Sequence, residues 1–325
     1  MLRLLRLVAL LSTLLVLVAA CGGGDDDKEG SSTAAAPAES AASGGGAATT
    51  DAATLLQAAQ VPATGAVKTK LSLKANVDGT PKDQLLGAFL SGPIEITVDG
   101  VADATSKASD VSLQAKAGAL NVDARLLSDG TNAWVGLSDT YYALPGGLLG
   151  GSSATLDPAK LSGALGSPAD YLIDPQVVGS EEVEGVKAQH VTGQLDAAKL
   201  SSALQGLTTA AGSSGLGALL GGGTSGNGLQ LSQDALKSAK ADVWVADDTN
   251  DVVRVALDLD VALPDADAAS TGVDGVKVQL DATTVPTDPP TVEAPADARP
   301  AEELQSALLG LLAGSGLGGL LGGNG

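Results

Sequence analysis

Residues 67–79 read VKTKLSLKANVDG, and Val67, Thr69, Leu71, Leu73, Ala75 and Val77 alternate with Lys68, Lys70, Ser72, Lys74 and Asn76. A period of two, aliphatic on one side and lysine-rich on the other, predicts a β-strand with one buried and one wet face. The pattern returns in PIEITVDGVADA (93–104), where Ile94, Ile96 and Val98 alternate with Glu95, Thr97 and Asp99. Val111 and Leu113 follow, then Leu120, Val122 and Leu126, then a strand around Trp134, with turns at SDG (128–130) and LSD (137–139). Alternating strands joined in sequence by tight turns predict an antiparallel meander.

Outward from this meander the pattern changes. Upstream, DAATLLQAAQ (51–60) predicts a short helix with Asp51 at its N-cap and Pro62 beyond its end. Downstream, DPAKLSGALGS (157–167) and DAAKLSSALQGL (196–207) predict two helices flanking a strand, GVKAQHVTGQLD (185–196), and SQDALKSAKA (232–241) predicts another helix. Strands resume in ADVWVADD (241–248), the turn TND (249–251), VVRVALDLDVALP (252–264) and GVKVQLDAT (275–283). In the second of these, Val253, Val255, Leu257 and Leu259 are expected on one face, with Arg254, Asp258 and Asp260 on the other. The order predicts an α+β fold: one large twisted antiparallel sheet with helices gathered on one face. Two subdomains split near residue 150 are the alternative.

The N-terminus carries a different signal. Arg3 and Arg6 precede an apolar run from Leu7 to Val18, and Ala19 and Ala20 lead into Cys21, the chain's single cysteine. That is the layout of a signal peptide, residues 1–20. Val18, Ala19, Ala20 and Cys21 resemble the bacterial lipobox, in which the cysteine thiol receives a diacylglyceryl group and the new N-terminus is acylated, palmitate being an expected chain. The competing reading is a plain cleaved leader with an incidental cysteine. Residues 22–50 contain no large apolar residue and read as a flexible tether, so residues 21–50 form a lipidated, disordered lead. Residues 301–325, rich in glycine and leucine, form a tail that begins as an apolar helix at Glu302.

Composition narrows the function. The formal net charge is -20, and removal of the leader with its two arginines takes it to −22, which argues against nucleic acid and against electrostatic adhesion to anionic headgroups. Attachment is expected through acyl chains, each buried methylene contributing about 0.8 kcal/mol. Aromatics are 2% of the chain, so the core must be aliphatic. His190 is the only histidine, sits in a strand pattern and has no nucleophile motif beside it, and a zinc site would need more histidine or cysteine than the chain has. Two G-x-G-x-x-G matches, at Gly221, Gly223 and Gly226 and at Gly314, Gly316 and Gly319, neither follow a strand nor open a capped helix. The acidic turn ADDTND (246–251) lacks calcium-loop spacing. No catalytic residue, metal or cofactor is expected.

The lipobox, the helix TLLQAAQ (54–60) before a lysine-dotted first strand, EGVKAQHVTGQLD (184–196), ADVWVADDTNDVVRVALDLD (241–260) and the strand before VEAPADARP (292–300) together resemble the LppX/LprG-type lipid-carrier lipoproteins of actinobacteria, more distantly allied to periplasmic lipoprotein carriers. The resemblance implies that residues 51–300 form a half-barrel sheet cupped over helices on its concave face. It implies a cavity for acylated lipids or glycolipids during export to the cell envelope, with an export transporter as a further partner. The protein is then expected on the extracytoplasmic face of the cell membrane, held by lipid on Cys21. By strand alternation the cavity wall would include Leu71, Leu73, Ile94, Ile96, Val98, Leu120, Val122, Val253, Val255, Leu257, Val276 and Val278, with Trp134, Trp244, Tyr141 and Tyr142 at its mouth. The competing class is a ligand-free structural or adaptor lipoprotein that presents its acidic surface to a partner.

Overall fold

Twelve strands form one open sheet in the computed structural model, which describes residues 51–60, 65–144, 168–199, 235–263, 265–304 and, beyond these, 306, 307 and 310. In chain order the elements are α1 (Ala52–Ala58), β1 (Ala66–Gly79), α2 (Gln84–Phe89), β2 (Ile94–Asp103), β3 (Ala108–Ala117), β4 (Leu120–Asp129), β5 (Ala133–Leu137), β6 (Thr140–Leu144), α3 (Pro168–Tyr171), β7 (Leu172–Val183), β8 (Val186–Leu195), β9 (Leu236–Ala246), β10 (Val252–Ala262), α4 (Asp265–Thr271), β11 (Val273–Pro286) and β12 (Arg299–Pro300).

The strand order is β12-β6-β5-β4-β3-β2-β1-β11-β10-β9-β8-β7. The chain lays β1 at the centre and runs outward to β6. It then crosses to the opposite edge at β7 and meanders back to β11, which pairs antiparallel with β1 from Val67↔Pro286 to Val77↔Val276. The two sequence-local meanders are therefore halves of one sheet, and the division near residue 150 falls at the crossing between its edges. Only β12 runs parallel to its neighbour, β6. The result is a twisted, unclosed α+β half-barrel.

Register separates two faces. We call inner the face on which α1 packs: Leu55 and Leu56 cluster there with Val191, Ala241, Val243 and Val245. Leu71, Leu73, Val98, Val111 and Leu280 continue the same face at the centre, and Ala75, Ile94, Val276 and Val278 towards one end. A second core lies on the outer face. There the tip of the β7–β8 hairpin folds over its neighbours, so that Val183 and Ala188 pack with Trp244, Ala246, Val253 and Val285. The fold-over is deep enough for Glu184, at the hairpin turn, to accept a hydrogen bond from Lys70 Nζ on β1 at 2.9 Å. Glu184 and Gly185 have φ of 49° and 89°, the positive pair that matches a two-residue turn to strand twist, so glycine is required at the second position.

Side chains also fix the other turns. After β2, Asp103 accepts hydrogen bonds from the Ser106 hydroxyl at 2.6 Å, the Ser106 N–H at 3.0 Å and the Thr105 N–H at 3.1 Å. The Ser106 hydroxyl, then these two N–H groups, hold the Asp103 carboxyl below its ordinary value of 3.8. A carboxyl lowered in the folded state contributes stability that is present above its unfolded value and lost as the pH falls through the folded one. Asp103→Asn is accordingly expected to lower the urea midpoint at neutral pH and to flatten its decline below the ordinary aspartate value of 3.8. Midpoints measured across the acid range check both.

Two expectations change, and one strand was not expected. The helix expected over 232–241 is instead the start of β9, from Leu236. Its helix-forming residues yield to tertiary pairing, because Ser238 and Lys240 stand opposite Asp260 and Asp258 while Ala239 and Ala241 face inward. Second, Val253 leaves the face of Val255 and Leu257, because the β9–β10 register slips between Val252 and Arg254 and turns Val253 into the outer core. The unexpected strand is β7, twelve residues long, which the alternation does not reveal. The expected helix over 196–207 is described only at residues 197–199, and the tail is helical at 302–304. The leader, Cys21, the tether, the helix expected over 157–167 and the glycine-rich stretches at 146–153 and 208–228 lie outside the described residues.

Candidate functional site

Parity along the ladders turns each strand's alternation into a common surface. Across the paired positions of β1, β2, β3, β4, β9, β10 and β11, every charged side chain falls on the outer face and none on the inner. The outer set includes Lys68, Lys70, Lys74, Glu95, Asp99, Asp110, Lys116, Asp123, Arg125, Lys240, Asp242, Arg254, Asp258, Asp260, Lys277 and Asp281. The inner face over the same strands is aliphatic, with Thr69, Ser109, Ser128 and Thr284 its hydroxyl positions.

Eleven of the aliphatic residues expected in the wall lie on this inner face: Leu71, Leu73, Ile94, Ile96, Val98, Leu120, Val122, Val255, Leu257, Val276 and Val278. They differ in cover. Leu71 and Leu73 at the centre are 2% and 1% exposed, whereas Ile96, Leu120, Val122, Val255 and Leu257 are half-buried. Leu113, Leu126 and Leu259 belong to the same half-buried surface. The alternation in sequence places all three on strand faces, and the structure adds them to the inner surface.

The aromatic residues do not gather at a mouth. Trp134 is opposite Ala143 and Leu127 on the outer face, Tyr142 is opposite Val135 on the inner face, and Tyr141 lies outside beside Arg125. Adjacent residues on a strand point to opposite faces, so Tyr141 and Tyr142 cannot share one rim.

Trp244 is buried on the outer face in a polar network. His190 on β8 stacks on its indole with ring centroids 4.3 Å apart, and the Arg254 guanidinium on β10 lies 4.5 Å from the ring centroid. The indole N–H donates to Glu181 Oε2 at 2.9 Å. His190 Nδ1 lies 3.1 Å from Glu181 Oε1, and its Nε2 lies 2.9 Å from Asp242 Oδ1. The Trp244 N–H, together with His190, holds the Glu181 carboxyl below the usual glutamate range. Burial works against the charge on Asp242, but hydrogen bonds from His190 and Lys240 outweigh it and keep that carboxyl low as well. Arg254 is paired with Asp281 through two hydrogen bonds. His190 is thus a partnered strand histidine bracing neighbouring strands. Among the described residues no three histidine, cysteine, aspartate or glutamate side chains gather as a metal site, and no helix is long and apolar enough to cross a membrane.

The fold and its inner surface define an open half-barrel whose inner face carries no charged side chain at the paired positions of β1–β4 and β9–β11. No family model matches the sequence, and no curated protein does. Among solved structures the chain is similar to LprF from Mycobacterium bovis, at 14% identity over 76% of this chain and 94% of that one, with a TM-score of 0.35. It is also similar to the Mycobacterium tuberculosis lipoprotein LppX, at 17% identity over 69% and 88% of the two chains, with a TM-score of 0.29. The lipoprotein group that the sequence resembles is therefore represented among the solved structures it matches.

Proposed function

We propose that the protein is a non-enzymatic cell-envelope lipoprotein that holds acylated lipid or glycolipid against the inner face of its sheet. The carrying observation is the segregation of charge: at the paired positions of seven neighbouring strands the inner residues are apolar but for four hydroxyl side chains, and none is charged. Such a surface suits acyl chains, each methylene contributing about 0.8 kcal/mol on burial, and the half-buried flank at Leu113 and Val122 is where chain would lie, with Leu257 half-buried on the other side of the centre. In this reading the leader ends at residue 20 and acylated Cys21 anchors the protein on the extracytoplasmic face of the cell membrane. Residues 22–50 tether the binding unit (51–300), residues 301–325 form its tail, and an export transporter exchanges lipid with it.

The burial of Leu71 and Leu73 favours a second reading, a closed core in an adaptor lipoprotein without ligand. Val122→Trp separates the two. If lipid occupies the flank, the variant takes up less lipid from vesicles and keeps its urea midpoint. If the flank is close-packed, it loses about 1 to 3 kcal/mol. Native mass spectrometry with solvent extraction of the full chain, purified from its own envelope, tests the reading directly. A stoichiometric lipid released on denaturation supports a carrier, and an empty protein that takes up none overturns it.

A further inference from the structure

The two edges of the sheet are treated differently. At one, β12 pairs with β6 through Arg299↔Tyr142 and Pro300↔Ala143 and covers that strand. At the other, β7 is the last strand among the described residues. Among the described residues the exposed large hydrophobics also lie in β7: Ile173 at 42%, Val177 at 37% and Val178 at 58%. Single exposed apolar residues are ordinary on a surface. Their confinement to one short stretch of the free edge is not, since an edge strand with apolar side chains is a template for a further strand.

We infer that the free edge of β7 docks an extended segment of another protein, in β conformation and carrying lysine or arginine among apolar residues. Charge selects this occupant. The strand, LIDPQVVGSEEV, contains Asp174, Glu181 and Glu182 and no basic residue. Antiparallel pairing with a second copy over Gly179–Val183 would set Glu181 opposite its own counterpart, a like-charge pairing that destabilises a ladder, and would join two chains of net charge -20. A basic strand meets instead the exposed carboxylate of Glu182, on the side of β7 away from Lys187, which stands opposite it on β8. Glu181 is held within the sheet by Trp244 and His190 and is not needed for recognition. Pro175 and the register slips between Ile173 and Gln176 and between Val177 and Gly179 interrupt the first half of β7. They confine regular pairing to the stretch from Gly179 to Val183, with Val177 and Val178 at its entrance, and so favour a short docked segment over open-ended sheet growth.

The test uses the full chain and two blocked synthetic octapeptides, KVTVKVTV and EVTVEVTV. The expected results are that the lysine peptide binds and the glutamate peptide does not, that added salt weakens binding, and that bound peptide slows amide exchange in residues 177–183. Val178→Lys with Glu182→Gln, which sets no like charge against Lys187 opposite it on β8, should weaken the lysine peptide by about tenfold or more and leave the urea midpoint nearly unchanged. Absence of binding at millimolar peptide, equal binding of both peptides, protection elsewhere in the chain, or equal binding by the double variant each overturns the proposal. Self-association of the protein that Val178→Lys abolishes also overturns it, because the edge would then serve a second copy.

Discussion

Trp244→Ala is expected to destabilise the fold by about 3 to 5 kcal/mol, read as a lowered urea midpoint with little change in slope. The residue is 5% exposed and sits where the outer core and the polar network meet. Removing the indole leaves His190 and Arg254 without the ring between them and Glu181 without its strongest donor. It also opens a cavity beneath Val183 and Ala188, where the β7–β8 hairpin folds over β9 and β10. Trp244→Phe separates these contributions: an aromatic ring remains and the N–H donor is lost, so its cost should be smaller. Glu181 is lowered in the folded state, so its contribution is full at neutral pH and fades as the pH drops below the ordinary glutamate value of 4.5. The difference between wild type and Trp244→Phe should therefore shrink in acid. A cost for Trp244→Ala no greater than that for Trp244→Phe would mean that the outer core adds nothing beyond one hydrogen bond.

The parts of this architecture that were legible in sequence share a physical cause. Strands β1, β2 and β10 alternate because one face is wet and the other dry, and a period of two reports that condition directly. Their pairing across the chain was not legible: nothing local in VKTKLSLKANVDG points to β11, some two hundred residues away, although both strands place aliphatic residues on matching parity. Alternation marked the second half of β9 as strand without showing that both its faces are covered, and it failed where both faces are wet. The second half of β9 is buried on both sides, inward against α1 through Val243 and Val245 and outward through Trp244 and Ala246. β7 is largely exposed on both sides and is broken by register slips, so its residues show no period. The same limit misplaced Val253, since a bulge turns one residue over without leaving a mark in hydropathy. The inner wall was accordingly readable strand by strand, and the outer core built around Trp244 was not.

Truncation at two depths of the inner face should give unequal costs that depend on what covers it. Leu73→Ala is expected to lose about 2 to 5 kcal/mol, because Leu73 is 1% exposed, packs with Leu71, Val98 and Leu280, and lies at the central pairing of β1 with β11 that joins the two meanders. Leu113→Ala, on the half-buried flank, removes the same atoms from a surface that is already partly open. Its cost in lipid-free protein should fall well below that of Leu73→Ala, since part of the side chain is not removed from water on folding. Lipid changes the comparison. If acyl chains lie along the flank, adding lipid raises the stability of wild-type protein by mass action, and Leu113→Ala reduces that gain together with lipid uptake, while Leu73→Ala leaves uptake per folded molecule unchanged. Urea midpoints with and without vesicles, measured for both variants, resolve these outcomes. If the cost of Leu113→Ala matches that of Leu73→Ala and vesicles stabilise neither variant nor wild type, the inner face is a closed core and the lipid-carrier reading fails.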